Sequence, residues 1–355
     1  MIKRPAGALA GIAMILLFAA PAGAQSPPRS VFDVPRPTVP VRDLVVSGPD
    51  ASSARISATA MTQRYPVGDG RGSTIAVGVT AACHATCDAA DPQAIASFIG
   101  TLPHGAEVGL LTIQLDTSWQ IGYDCGYGAQ ACYDTWRDRI ILSGDDDVQH
   151  DGATREFVLA HEYGHHLARH RPAPSPFTPA IDWGTPRWAS LKDVCQGQRA
   201  RRLFPGNEGR HYYENPGEAF AESFAFYRFS DSPVQWSWIP SLRPNAAAFA
   251  AIRRDVYRPW VERIVKIRGR LPAGGGRAVT RIFRTPLDGR ASLWLRGLGF
   301  GGSELSVRNR AGTKLREVAG TGPLEFTVCN QGRLRVVVKP RGRHGHRFTL
   351  AVKRP

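Results

Sequence analysis

The spacing of hydrophobic and polar positions changes three times along the chain. An apolar run of 13 residues at 8–20 gives way to a polar, proline-rich stretch that continues to about residue 73. From residue 74, short apolar runs of strand length alternate with segments of helical periodicity, and beyond residue 277 only short alternating segments remain. The pattern predicts an α+β part followed by an all-β part.

The α+β part should contain three strands and several helices. A long loop-like stretch separates two of the helices, and Pro259 should bend or divide the last one. The predicted strands lie at 74–80, 107–115 and 139–143, and the predicted helices lie at 92–102, at 155–170, from 216 onward, and at 245–268.

The all-β part follows a glycine-rich linker at 271–276. Its apolar segments are short, regular and divided by Gly, Asn and Asp turns, which is typical of an antiparallel β-sandwich at 277–355. The predicted strands are 279–283, 292–295, 304–307, 324–328, 334–338 and 348–352.

The first 73 residues predict export and a leader. Lys3 and Arg4 precede the apolar run, and Ala-Gly-Ala at 22–24 forms a small-x-small cleavage site, so 1–24 has the layout of a signal peptide. An uncleaved membrane anchor is the alternative, although 13 residues are few for a bilayer. Residues 25–73 predict a Pro-rich leader or pro-segment with at most one short strand, at 44–47. We expect a secreted or periplasmic protein whose mature chain has no transmembrane segment.

The six cysteines take their meaning from export. Outside the cytoplasm an even number of cysteines suggests disulfides, and six cysteines allow 15 pairings. Two pairs are close in sequence, and a third would then tie the two parts together: Cys125 with Cys132, Cys83 with Cys87, and Cys195 with Cys329. A metal site at 83–87 is the alternative for that segment, although its spacing is not the one that zinc sites favour.

Positive charge is concentrated near the C-terminal end. The chain has 45 basic and 30 acidic residues, and residues 277–355 hold 17 of the basic and 4 of the acidic ones. A nucleic-acid enzyme would carry positive charge around its catalytic site, so no nucleic-acid partner is expected. The basic segment could contact an anionic cell surface or glycan, or it could serve solubility alone.

The candidate chemistry lies in the predicted helix at 155–170, which contains His-Glu-Tyr-Gly-His at 161–165. Four residues along an α-helix give ~6 Å of rise and ~40° of rotation, so His161 and His165 project from one face. Two imidazoles placed in this way can bind one zinc ion at ~2.0–2.1 Å. Glu162 points aside, where it can take a proton from a water without occupying the metal.

A catalytic zinc ion needs a third protein ligand. The position for a ligand soon after the motif holds Arg171, so that arrangement fails. His166 and His170 are close in sequence, but His166 is turned ~100° from His165 and is not expected to share the ion.

The better candidate lies downstream, in Asn-Pro-Gly-Glu-Ala-Phe-Ala-Glu at 215–222. Asn215 and Pro216 suit the start of a helix, which then presents Glu218 and Glu222 one turn apart. Two carboxylates on so apolar a helix are costly to bury unless a cation or hydrogen bonds receive them. We predict that Glu218 is the third zinc ligand and that Glu222 orients the ring of a ligand, His161. A plain surface helix is the alternative.

These two segments together resemble the gluzincin branch of the zinc metallopeptidases. The form Glu-x-Phe-Ala-Glu at 218–222 is especially similar to that of lethal-factor-like peptidases. The resemblance implies a zincin-like domain at 74–271, with a small mixed sheet and two active-site helices, that hydrolyses protein or peptide substrates. In such enzymes zinc polarises the scissile carbonyl, so Glu162 would activate the water and pass its proton to the leaving amine. The substrate would be held as an added strand, for which 137–143 is the matching place.

The resemblance also implies a Tyr or His that stabilises the oxyanion. Tyr212 and Tyr213 lie with His211 just before Glu218, and the sequence does not separate the two tyrosines. The segment 277–355 distantly resembles the β-sandwich domains appended to secreted bacterial peptidases. Two other functions stay open, a zinc amidase acting on a cell-wall substrate and a non-catalytic surface-binding protein that uses the basic β-sandwich.

Overall fold

The structure is a computed structural model, and the described residues all belong to one compact unit at 39–355. They are residues 61–87, 91–126, 128–145, 152–272, 277–297, 303–319, 322–329, 332–340 and 345–355. The predicted signal peptide and the strand expected at 44–47 lie outside them. Among the helices of the described residues, none combines the length and apolar character that a membrane crossing requires.

The first part contains a five-stranded mixed sheet in the order β1-β2-β3-β5-β4. The central pairs β2–β3 and β3–β5 are parallel, and the two outer pairs are antiparallel. β1 lies inside the segment predicted as an extended leader, so the end of that segment belongs to the sheet. The strands are β1 (Met61–Pro66), β2 (Thr74–Val79), β3 (Thr112–Asp116), β4 (Ala131–Asp134) and β5 (Arg139–Ser143).

Nine α-helices are assigned within the described residues, and the longer ones share a single apolar core with the sheet. Three short helices, α5 to α7, fall in the stretch that the sequence predicted as loop-like. The helices are α1 (Ala81–Thr86), α2 (Pro92–Thr101), α3 (Ser118–Asp124), α4 (Arg155–Arg169), α5 (Ala180–Trp183), α6 (Pro186–Leu191), α7 (Val194–Arg199), α8 (Pro216–Arg228) and α9 (Ala246–Tyr257).

Side-chain caps fix where the two longest helices begin. The Thr154 hydroxyl accepts a hydrogen bond from the backbone N–H of Phe157 at 3.2 Å, which starts α4. Asn215 Oδ1 accepts from the N–H of Gly217 at 3.0 Å, with Pro216 at the first helical position of α8. Because each cap satisfies a donor that a helix start leaves without a partner, these residues set the starts of both helices.

The segment 107–115 is not the single strand that the sequence predicts. Residues Ala106–Leu110 form a 3-10 helix, and β3 begins only at Thr112. Glu107 explains the difference, because its buried carboxylate Oε2 lies 2.9 Å from Arg171 Nη1 and therefore needs the chain turned inward at this point.

The segment 245–268 is helical only in its first half. α9 ends at Tyr257, Pro259 follows, and the chain then forms β6 (Arg263–Arg270). β6 alternates between exposed and partly buried positions, as a strand does, so the predicted helix is wrong for this half of the segment. β6 pairs with the last strand of the chain and thus belongs to the all-β part.

The second part contains two four-stranded antiparallel sheets around one apolar core, so the chain as a whole is mixed α+β. Their orders are β10-β9-β12-β7 and β11-β8-β13-β6. The sequence missed β6 and β10, which are the most exposed strands. The remaining strands are β7 (Val279–Thr285), β8 (Gly289–Arg296), β9 (Ser303–Arg308), β10 (Lys314–Ala319), β11 (Leu324–Val328), β12 (Gly332–Pro340) and β13 (Arg347–Arg354).

Disulfides connect all six cysteines, in the pairs suggested by the sequence: Cys83–Cys87, Cys125–Cys132 and Cys195–Cys329. The last pair joins α7 to the residue after β11. It therefore links the helical part to the antiparallel sheets. The alternative of a thiolate metal site at 83–87 is wrong, because the two sulfurs are bonded to each other.

Candidate metal centre

α4 and α8 lie side by side, and a glycine sets how closely they approach. A Cβ atom on Gly164 would lie 2.8 Å from the Cα of Ala221 and 3.2 Å from the Cβ of Phe224. The first of these contacts is with backbone, which cannot turn away as a side chain can. The glycine of the 161–165 motif therefore allows the second helix to come within ligand distance of the first.

The side chains of His161, His165 and Glu218 converge where the two helices meet. The Nε2 atoms of the two histidines are 3.2 Å apart. Glu218 Oε2 lies 3.5 Å from His161 Nε2, and Glu218 Oε1 lies 3.4 Å from His165 Nε2. Ligands ~2.05 Å from a tetrahedral ion are about 3.3 Å apart, so the spacing and the donor types fit an ion of zinc's size. The three residues form a group that could hold a metal ion.

Glu222 fixes the orientation of one histidine ring. Its Oε2 lies 2.9 Å from His161 Nδ1, and both side chains are buried. A carboxylate can only accept, so Nδ1 carries the proton and the lone pair of Nε2 is turned toward the ligand group. Glu222 thus lies behind the ligands, one helical turn from Glu218, and selects the tautomer that a metal requires.

Glu218 is fully buried and remains ionised. Burial by itself raises the pKa of this carboxyl. The neighbouring imidazoles of His165 and His161 outweigh burial and hold that pKa well below its usual range. The centre therefore contains a carboxylate ready to bind a cation, with little water around it.

Glu162 is the member of the motif that stays outside the ligand group. Its side chain is fully buried on α4, next in sequence to His161. The structure thus buries a carboxylate next in sequence to a candidate ligand and leaves it out of the candidate ligand group. Such a group can accept or release a proton at the centre.

The structure distinguishes the two candidate tyrosines by what their side chains contact. Both belong to the 3-10 helix Tyr212–Glu214 that leads into α8. The Tyr212 hydroxyl donates to Glu218 Oε2 at 3.2 Å, so it reaches the ligand group. The Tyr213 ring packs edge-on against Tyr212 with 5.6 Å between ring centroids.

Trp238 is a part of the site that the sequence did not predict. Its ring lies 6.0 Å from His161 and 6.1 Å from Tyr212, measured between centroids, and Trp236 packs against it at 5.5 Å. His165 and Glu218 are fully buried, whereas Trp238 is 9% and Tyr212 6% exposed. The rings of Tyr212 and Trp238 therefore line one side of the centre. The two tryptophans of the Trp-Ser-Trp segment at 236–238, after α8, are the sequence signal that could have indicated it.

The expectation that 137–143 offers the free edge for a substrate strand is wrong. β5 pairs with β3 on one side and with β4 on the other, so its backbone is already used. β4 is the strand at this edge of the sheet, and it packs against α4. The sequence missed β4 because its four residues are too few for a recognisable alternation.

No protein-family model matches the chain, and no curated protein matches it either. Among solved structures, the Yersinia pseudotuberculosis-derived mitogen (YPM) is similar at 14% identity, with 27% of this chain and 88% of that chain covered and a TM-score of 0.24. The pre-peptidase C-terminal domain of collagenase from Bacillus anthracis is similar at 15% identity, with 25% of this chain and 88% of that chain covered and a TM-score of 0.23. Legionella pneumophila aminopeptidase A in complex with aspartic acid is similar at 10% identity, with 77% of this chain and 36% of that chain covered and a TM-score of 0.24. At such TM-scores these likenesses carry no argument about fold or function.

Proposed function

We propose that the chain is an exported zinc-dependent metallopeptidase of the gluzincin type, with a zincin-like catalytic part. The observation that carries the proposal is the convergence of His161, His165 and Glu218 at 3.2–3.5 Å. Two imidazoles and one carboxylate are the ligand set of a catalytic zinc site with an open fourth position. A structural zinc site would instead use four protein ligands.

The proposed chemistry divides between the metal and Glu162. When bound, zinc supplies Lewis acidity, which polarises a carbonyl and lowers the pKa of water to ~7. Glu162 takes a proton from the attacking water as general base and then gives it to the leaving amine as general acid. Burial keeps bulk water from competing for that proton.

Tyr212 is the proposed oxyanion-stabilising group. Its hydroxyl is already at Glu218 and can turn toward an oxygen that gains negative charge beside the ligands. Glu222 keeps the His161 ring in place while the ligand charges change. The Trp238 side of the centre is the proposed entry for the substrate, because the side chains of His165 and Glu218 are fully buried whereas Trp238 is 9% exposed.

The proposed substrate is a protein or peptide in extended form. The three disulfides agree with an oxidising compartment and so support export.

For the antiparallel sheets we propose contact with an anionic cell surface or glycan, because Arg335 lies opposite Arg308 and Arg333 opposite Arg284.

Chelation and zinc readdition test the proposed activity. Purified mature protein is stripped with a chelator and given unfolded casein with and without one equivalent of Zn²⁺. We expect hydrolysis to be lost on stripping and restored by zinc. Purified cell-wall peptidoglycan, assayed in parallel, separates the zinc amidase alternative, because an amidase would release amines from that substrate and leave casein intact.

A further inference from the structure

A second group of metal-binding side chains lies on the face of α4 that is turned toward β4. His166 lies in the last turn of α4, His170 is the C-cap residue of this helix, and Asp138 belongs to the turn between β4 and β5. One ligand atom from each of the three residues lies within 4.8 Å of the ligand atoms of the other two. None of these residues belongs to the centre formed by α4 and α8.

The ring of His166 is held in one orientation. Its Nε2 lies 2.9 Å from the backbone carbonyl of Glu107, which can only accept, so Nε2 carries the proton of the neutral imidazole. Nδ1 then has a lone pair directed at Tyr133, whose hydroxyl is 3.1 Å away. A histidine that donates to a backbone carbonyl through one nitrogen commonly binds a metal through the other.

Hydrogen bonds already bring the acceptors of this group together. The Tyr133 hydroxyl lies 2.8 Å from Asp138 Oδ1 and 3.1 Å from His166 Nδ1. His170 Nε2 donates to the same Asp138 oxygen at 2.8 Å. The Asp138 carboxylate and the lone pair of the buried His166 ring therefore lie within reach of one cation.

We propose that Asp138, His166 and His170 bind a divalent transition-metal ion, independently of the first centre and of its function. Two imidazoles and one carboxylate suit Zn²⁺ or Ni²⁺. The side chains of Asp138 and His170 are 31% and 22% exposed, so an ion can enter from solvent. It would replace the proton that these two side chains share and tie the end of α4 to the β4–β5 turn.

Zinc counting tests the second site. The mature chain is stripped with a chelator, dialysed to equilibrium against Zn²⁺, and its bound zinc is measured by atomic absorption. We expect two equivalents in the wild type and one in His170→Gln, with a smaller zinc-dependent rise in melting temperature in the variant. His211→Gln removes another partly exposed histidine outside both groups and should keep two equivalents.

A second background separates the two centres. His161→Ala/His165→Ala should retain one zinc, and adding His170→Gln should remove it. The proposal is overturned by a wild type whose zinc content His170→Gln leaves unchanged, or by a folded His161→Ala/His165→Ala chain that binds none. If the double variant does not fold, the single His170→Gln count decides. Proteolysis does not enter any of these readouts, so failure of the peptidase proposal would leave the result readable.

Discussion

Tyr212 and Tyr213 are neighbours in sequence but differ in what their side chains reach. The hydroxyl of Tyr212 donates to the ligand Glu218, whereas the Tyr213 ring packs against Tyr212 and its backbone carbonyl accepts from Ile239. A tyrosine that serves the reaction must place its hydroxyl at the reacting atoms. On this ground we assign the proposed oxyanion-stabilising role to Tyr212.

Tyr212→Phe should lower kcat by about 10²-fold or more, because it removes a donor from the developing oxyanion. Its zinc content should stay at the wild-type value, since no ligand is lost. Tyr213→Phe is the matched control and should change kcat by less than about threefold. The assignment fails if the effects of the two substitutions are reversed.

Single residues were predictable where local helix geometry decides their position. Residues four apart on a helix share a face whatever the rest of the fold, so His161 and His165 could be paired from sequence. The same argument separates His166 from His165 but does not reveal a second group that contains His166 and His170. Their partner Asp138 comes from a β-turn, which no helical spacing reveals.

At the scale of elements, the approach of α8 to α4 brings the ligands together. Gly164 permits that approach, because a Cβ there would lie 2.8 Å from the Cα of Ala221. Gly122, on α3, has open space where its Cβ would be. A neighbouring helix therefore occupies the space where a Cβ of Gly164 would lie, whereas the same space at Gly122 is open.

Gly164→Ala should push α8 away from α4 and weaken zinc binding by at least about tenfold, with a loss of about 1–3 kcal/mol in the free energy of unfolding. Gly122→Ala should leave zinc affinity unchanged and raise stability by about 0.5–1 kcal/mol, since alanine suits a helix better. Isothermal titration with Zn²⁺ and denaturant unfolding check both. Equal zinc affinity in the two variants would contradict the role given to Gly164.

Elements with caps or strict periods were predicted well, and those shaped by distant contacts were not. β5 and α4 fall where the sequence placed them, because each has a clear pattern or cap. The first part of the predicted strand at 107–115 is a 3-10 helix instead, because Glu107 pairs with Arg171, 64 residues away. The second half of 245–268 became a strand because it pairs with β13, near the end of the chain.

At the scale of the whole molecule, the buried pair Glu107–Arg171 links the segment before β3 to the end of α4. Burial raises the pKa of Glu107, but the charge of Arg171 and the hydrogen bond from the N–H of Gly105 bring it below its usual value. The folded protein therefore binds this proton less readily than the unfolded chain. The stability from this pair is complete above the unfolded pKa of about 4.3 and is lost as the pH falls through the lower folded value.

Glu107→Gln should lower the free energy of unfolding at pH 7 by about 3–5 kcal/mol, since Arg171 is left buried without its partner. The difference from wild type should shrink as the pH falls below about 4.3. Urea unfolding between pH 3 and pH 7 measures both. Glu262→Gln, which alters an exposed pair with Lys353, should change stability by less than about 1 kcal/mol at every pH. A difference that grows toward low pH would show that the sign is wrong.

The most direct test of the central claim is peptide hydrolysis by the zinc-loaded Glu162→Gln variant. His161, His165 and Glu218 are intact in this variant, so its zinc content should equal that of the wild type. Without the proton acceptor, kcat/KM on an unfolded protein substrate should fall by about 10²–10⁴-fold. Hydrolysis at the wild-type rate by the Glu162→Gln protein would contradict the account.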